Sequence, residues 1–203
     1  MSNIIVPQRR VWTQQPQQAA KIDWSNPITR GLVGAWRSDA TGSYADLVAG
    51  NNGSPSASLD LSVSGAFCGR NFAGTKYINC GNSTTVHPSG DLSFLSVFST
   101  TQTSSNVNVL STHANLTGYT IEVGSGTVKA IVGTAAGWKS QSYAISTNTP
   151  YCAVGIHTSG KSVRLVLNGV DRGANAYSGS YVNSTQPLYI GGAAYYGQYL
   201  TGP

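Results

Sequence analysis

The chain has 203 residues and a formal net charge of +5, yet only 9% of its residues are charged, against about 25% in ordinary soluble domains. Forty per cent of the residues are hydrophobic, enough for one core, and the polar surface falls to Ser, Thr, Asn, Gln and 24 glycines. One Met, one Glu and no long Ala/Leu/Glu/Lys run exclude a helical protein, and no apolar run reaches the roughly eighteen residues of a membrane-spanning helix.

Taken in chain order, residues 1–30 stand apart. Arg9, Arg10, Lys21 and Arg30 face a single acid, Asp23, so most of the net charge sits here. Gln14, Gln15, Gln17 and Gln18 surround Pro16, and Pro7 and Pro27 flank them, which blocks a continuous helix. A solvated linker has no use for Trp12 and Trp24. The segment therefore reads as an extended basic arm that lies against a partner through Arg9, Arg10, Trp12, Lys21, Trp24 and Arg30. Four cations over thirty residues are too sparse for a nucleic-acid tail, so an acidic protein surface is the expected contact.

The domain is expected over 31–203. Leu32 to Trp36 reads as a buried strand, Gly50 to Gly53 as a turn, Leu59 to Val63 as a weak alternation, and Phe72 to Gly81 as a short hairpin followed by a strand. Leu92 to Ser99 places Leu92, Phe94, Ser96 and Phe98 on one face. Val107 to Thr112 and Tyr119 to Val123 are further strands, and the latter pairs with Val128 to Val132 through Gly124-Ser125-Gly126. Trp138 follows Ala-Ala-Gly in an expected loop, before strands at Gln141 to Ile145 and Cys152 to His157. The clearest signal is Ser162 to Gly173, where two-residue alternation ends in Asn168-Gly169, the hairpin turn with positive φ at both central residues. Leu188 to Gly192 is the last strand. Many short strands with turn signals every eight to twelve residues give an all-β fold, an antiparallel two-sheet sandwich with an extended N-terminal arm.

Cys68, Cys80 and Cys152 form neither a zinc-type spacing nor an even disulfide set, and they read as small buried hydrophobes. The opening MSNIIVPQRR turns polar too early for a secretory signal.

The blocks FAGTKYINCG (72–81), LSFLSVFS (92–99), GYTIEVGSGTVKAIVG (118–133), PYCAVGIHTSGKSVRLVLNG (150–169) and QPLYIGG (186–192) resemble, in their order, the concanavalin A-like lectin/glucanase jelly roll of laminin-G-like type. The resemblance covers about 32–200. IDWSNPITRGLVGAW (22–36) is similar to the opening of laminin-G-like proteins of tailed bacteriophages. These resemblances imply a jelly-roll sandwich and a virion setting. Members of the family usually continue with a final strand and a short helix where this sequence reads TGP, so either the sequence is truncated or the last strand comes from elsewhere, the arm or a neighbouring subunit then completing an open sheet edge.

Chemistry is sparse. A retaining glycosidase needs two carboxyl groups about 5–5.5 Å apart, but Glu122 is the only Glu, the Asp residues stand alone, and the glucanase phrase of the family is absent. His87, His113 and His157 read as structural or exposed, and no catalytic residue, metal ligand or cofactor is assigned. Sugar binding needs aromatic faces beside amides and hydroxyls rather than charge. Trp138, Tyr177, Tyr181, Tyr195, Tyr196 and Tyr199 are the candidates for a glycan-facing or protein-facing rim. The expectation is a non-enzymatic phage virion component, a capsid decoration or accessory protein anchored by residues 1–30, whose partners are other virion proteins and copies of itself. Nucleic acid and membrane are not expected. The alternative is a carbohydrate-binding module of a tail fibre or receptor-binding protein, and a glycosidase ranks third.

Overall fold

The computed structural model describes residues 22–25, 29, 31–38, 44–64, 67–193 and 195–202. Arg9, Arg10, Trp12, Lys21 and Arg30 lie outside the described residues. Trp24 is described and is 57% exposed.

The described residues form an all-β sandwich. The larger sheet runs, in spatial order, β11 (Gly137–Ala144), β10 (Thr127–Thr134), β9 (Tyr119–Gly124), β8 (Val107–Ser111), β15 (Tyr189–Ile190), β6 (Ile78–Asn79) and β3 (Ser54–Pro55), with β16 (Gly192–Ala193) and β17 (Gln198–Tyr199) attached beside β8. The second sheet is β14 (Val170–Ala176), β13 (Ser162–Leu167), β12 (Tyr151–Thr158) and β7 (Leu92–Phe98). Two small ribbons, β1 (Trp36–Ser38) with β2 (Tyr44–Asp46) and β4 (Asp60–Ser64) with β5 (Phe67–Asn71), complete the set.

Alternation decides which side chains meet. Leu92, Phe94 and Phe98 of β7, Ala153 of β12 and Val163, Leu165 and Leu167 of β13 are buried against Ile121 and Val123 of β9 and Val128, Ala130 and Val132 of β10. Phe94 meets Tyr119 across the sandwich at 5.0 Å between ring centroids. Gly155 on β12 makes room for the Phe94 ring, since a Cβ there would lie 2.3 Å from it. Beyond the core, β11 ties the two sheets together along one side. The Gln141 amide donates to the Arg172 carbonyl and the Asn175 amide donates to the Ser140 carbonyl, while the Arg172 guanidinium lies over the Tyr143 ring.

Three hairpins share one turn type. Asn115-Leu116, Ser125-Gly126 and Asn168-Gly169 all have positive φ at both central residues, which matches the right-handed twist of the strands they join. The turns at 125–126 and 168–169 lie where the sequence places them.

Other expectations need correction. Leu32 to Trp36 is not a buried strand: β1 starts only at Trp36, and Leu32 and Val33 are exposed. The Trp36 indole folds back over Gly34, where a Cβ would lie 2.4 Å from the ring. The lead-in is held instead by Asp46, whose carboxylate accepts from the backbone N–H groups of Ala35, Val48, Ala49 and Asn51. Trp138 is not in a loop but on β11, paired with Gly133. The last strand is broken into β15 and β16 at Gly191 (φ 75°), where the Phe72 ring fills the space of a Cβ. After it the chain turns through β17, and Leu200 is buried while Gly202 bridges Phe72. Cys80 is a free, fully buried thiol, as its reading as a small buried hydrophobe implies, and burial pushes its pKa up to about 12.

Candidate functional site

Residues directly opposed in a sheet project to the same face. In the larger sheet Val128, Ala130 and Val132 face the core, so Lys129, Ile131 and Gly133 face away. Their partners do the same. One row reads Ser142, Lys129, Glu122 and Asn108, the next Ser140, Ile131 and Thr120, and the last Trp138 with Gly133. One indole thus stands at the end of a polar sheet face.

The polar groups of that face are bonded to each other. Lys129 Nζ lies 2.9 Å from Glu122 Oε1. Thr120 Oγ1 donates to Asn108 Oδ1 at 2.6 Å, and the Asn108 amide donates to Gln198 Oε1 at 2.6 Å. These residues are buried or half-buried although they point away from the core. Among the described residues no group of three or more His, Cys, Asp or Glu could hold a metal ion.

At the Trp138 end four rings meet. His113, just past the end of β8, touches Trp138 edge-on at 4.1 Å and Tyr196 at 4.7 Å, and Tyr195 packs edge-on against Tyr196 at 4.8 Å. His113 is buried, with Nδ1 lacking a partner, and burial lowers its pKa to about 4. The imidazole is therefore neutral at pH 7 and acts as an uncharged spacer between the rings. Tyr195 and Tyr196 keep 47% and 39% of their surface exposed. The Tyr196 hydroxyl accepts from the Asn115 backbone N–H at 2.9 Å, which fixes the ring against the β8–β9 turn. Trp138 is thus brought together with the distant Tyr195-Tyr196 pair.

The remaining sequence candidates go elsewhere. Tyr177 and Tyr181 do not join this rim. Their rings pack on His157, at 5.9 and 5.1 Å, and the Tyr177 hydroxyl shares a 2.5 Å hydrogen bond with His157 Nδ1. Tyr181 reaches Asn183, whose amide donates to the His87 carbonyl. Burial lowers the pKa of His157 and raises those of both tyrosines. This cluster is part of the core margin. Tyr199 stacks on Tyr77 at 6.0 Å, in a third aromatic group with Tyr189.

Sequence reasoning missed Asn108, His113, Thr120 and Lys129 as members of the face. The Lys129–Glu122 pair could have been found by counting outward from Ser125-Gly126, which sets the two opposite each other. His113 carries no local signal, because its partners come from β11 and the 195–197 turn.

No family model and no curated protein sequence matches the chain. Solved structures do share its fold. A structure of botulinum neurotoxin type C concerned with its interaction with two ganglioside molecules aligns at TM-score 0.57 and 10% identity, over 81% of this chain and 44% of that one. The receptor-binding domain of botulinum neurotoxin D aligns at 0.54 and 12%, over 76% and 43%. Domain 4 of an extracellular arabinanase from Geobacillus stearothermophilus, solved with arabinotriose, aligns at 0.56 and 11%, over 74% and 78%. At these identities the likeness is one of fold. The chain spans less than half the length of the neurotoxin chains it matches.

Proposed function

We propose that this chain is a carbohydrate-binding module of a receptor-binding protein, and that the aromatic rim of Trp138, Tyr195 and Tyr196 is its glycan platform. The observation that carries this reading is that Trp138 and Tyr196 both pack on a neutral His113, with Tyr195 against Tyr196, at the end of a polar sheet face. Apolar faces of sugars stack on such rings. The fold-level likeness to a domain solved with arabinotriose and to a toxin studied with gangliosides supports this choice over protein contact at the same rim. The Lys129–Glu122 pair satisfies the buried charge of the face internally, which favours neutral saccharides over acidic ones.

A glycan array followed by calorimetry on the best binder tests the reading. Trp138→Ala is expected to lower affinity at least about tenfold, the magnitude of one lost aromatic stacking surface, while the protein stays folded. Full binding by the Ala variant, or no saccharide bound by the natural chain, refutes it.

We propose a virion setting, on a tail fibre or as a capsid accessory, on the phrase IDWSNPITRGLVGAW and on the exposed Trp24. Deleting residues 1–30 and sedimenting the product with particles tests it: full retention rules out anchoring by the arm.

A further inference from the structure

The turn that carries Asn115 breaks a rule that the turns at 125–126 and 168–169 keep. A hairpin turn with positive φ at both central residues takes glycine at the second without strain, whereas a branched side chain there is an outlier. The turns at Ser125-Gly126 and Asn168-Gly169 obey, with Gly126 at 73° and Gly169 at 78°. The third turn has Leu116 at 66° instead, after Asn115 at 43°.

Leu116 is held in that conformation from several sides. Ala114 and Thr117 exchange both backbone hydrogen bonds, at 3.2 and 2.8 Å, and the Thr117 hydroxyl donates to the Ala114 carbonyl. Asn115 N–H donates to the Tyr196 hydroxyl. The Leu116 carbonyl sits over Gly133, 2.2 Å from where a Cβ would be, and Gly133 is the strand partner of Trp138. The turn is therefore held between the Tyr196 hydroxyl and Gly133, the strand partner of Trp138. Its leucine is not buried by this clamping and remains 48% exposed. A strained backbone that displays an apolar side chain to solvent gains nothing for the fold, and strain of this kind gathers at ligand sites.

We infer that Leu116 is a ligand-contacting residue of the aromatic site, and that it selects neutral saccharides carrying a methyl group. An isolated leucine on the rim has no hydrogen bond to offer a hydroxyl-covered sugar. It has an apolar surface that a methyl can cover, and that methyl comes either from an acetamido group or from a 6-deoxy sugar. The inference rests on the glycan reading of the platform and adds a selective contact to it.

The test uses the full chain, with Leu116→Gly and Leu116→Asn beside Trp138→Ala. Chitotriose against cellotriose reads the acetamido methyl, and 2′-fucosyllactose against lactose reads the deoxy methyl. The natural chain is expected to prefer at least one methyl-bearing sugar over its methyl-free partner by about tenfold, the contribution of one well-covered apolar contact. Leu116→Gly is expected to raise Tm by about 2–4 °C through relief of the backbone and to erase the preference. Leu116→Asn, which tolerates the same backbone, is expected to erase it as well. Binding that ignores the methyl in the natural chain overturns the inference. So does a Leu116→Gly protein that melts higher and keeps the preference, and if Trp138→Ala then loses binding, the platform stands without Leu116. A natural chain that binds none of these sugars, nor any other on the array, removes the platform and Leu116's role together.

Discussion

His113 makes stability depend on pH in a direction that the structure fixes. The imidazole is buried between Trp138 and Tyr196, and burial lowers its pKa from 6.5 to about 4. In the unfolded chain it takes a proton near pH 6.5, while in the native state it refuses one until about pH 4. As pH falls through that window the unfolded state binds more protons, so native stability is lost. Each pKa unit corresponds to about 1.4 kcal/mol. The full window is thus worth about 3 kcal/mol, and about 2 kcal/mol of it is gone by pH 5. That is a large share of the roughly 5–15 kcal/mol that holds a typical domain. Urea unfolding measured at half-unit steps from pH 7.5 to 4 reads the effect. His87 and His157 also have lowered pKa values from burial and add losses of the same sign. The contribution of His113 is therefore isolated as the difference between the profiles of the natural chain and His113→Asn. The two curves are expected to converge as pH falls, because the variant has no proton to refuse at that site. Parallel curves, or an NMR titration of His113 with a midpoint near 6.5, would refute the buried neutral imidazole and with it the uncharged platform.

Two further outcomes follow from the same face. Gly133→Ala places a Cβ 2.2 Å from the Leu116 carbonyl oxygen and 2.6 Å from the Thr117 Cα, backbone atoms with no rotamer to escape through; a loss of about 3 kcal/mol or more in urea unfolding is expected, and a loss below about 1 kcal/mol would show that the 114–117 turn does not press on β10. Lys129→Met leaves the nearly buried Glu122 carboxylate without its partner and is expected to destabilise by about 3 kcal/mol, whereas Lys129→Met with Glu122→Gln restores most of that. A double-mutant cycle with no coupling energy would sink the idea that the pair is a unit.

The parts of the fold that sequence reading located are those in which neighbours along the chain are also neighbours in space. β7, the β9–β10 hairpin and the β13–β14 hairpin announce themselves through alternation and through Ser125-Gly126 and Asn168-Gly169, because both signals are local. Leu32-Val33-Gly34-Ala35-Trp36 misleads for the opposite reason. Its apolar run imitates a buried strand, but the Trp36 ring consumes the space over Gly34 and a distant carboxylate, Asp46, directs the backbone. Trp138 is not legible as a strand residue, since the Ala-Ala-Gly before it looks like a loop and is a hairpin turn closing with Gly137 at φ 95°. Tyr177 and Tyr181 lie in a stretch rich in Ser, Gly and Asn that reads as a rim. Their rings turn inward because His157, on the inner face of β12, gives them a polar partner. Nothing within several residues of either tyrosine signals that partner.

The balance of groups at the platform also bears on how such a module would be used. The buried ionic and amide groups of the face are spent on one another: Lys129 on Glu122, Thr120 on Asn108, and Asn108 on Gln198. Under the proposed function, the rings of Trp138, Tyr195 and Tyr196 and the exposed Leu116 are what would make the contact. A contact surface of that kind discriminates by shape and apolar coverage, and without charge-assisted hydrogen bonds or steering its single-site affinity for a small neutral sugar is modest. Linking copies makes a second binding event intramolecular, and avidity then rises by about a hundredfold or more without any new contact. The proposed receptor-binding role therefore requires display in several copies. Tethering the natural chain at increasing density on a sensor is expected to slow release from a glycan-coated surface steeply, whereas free chain in solution dissociates at once. Equal release at every density would mean that the platform already holds its ligand tightly alone, which stacking on aromatic rings does not account for.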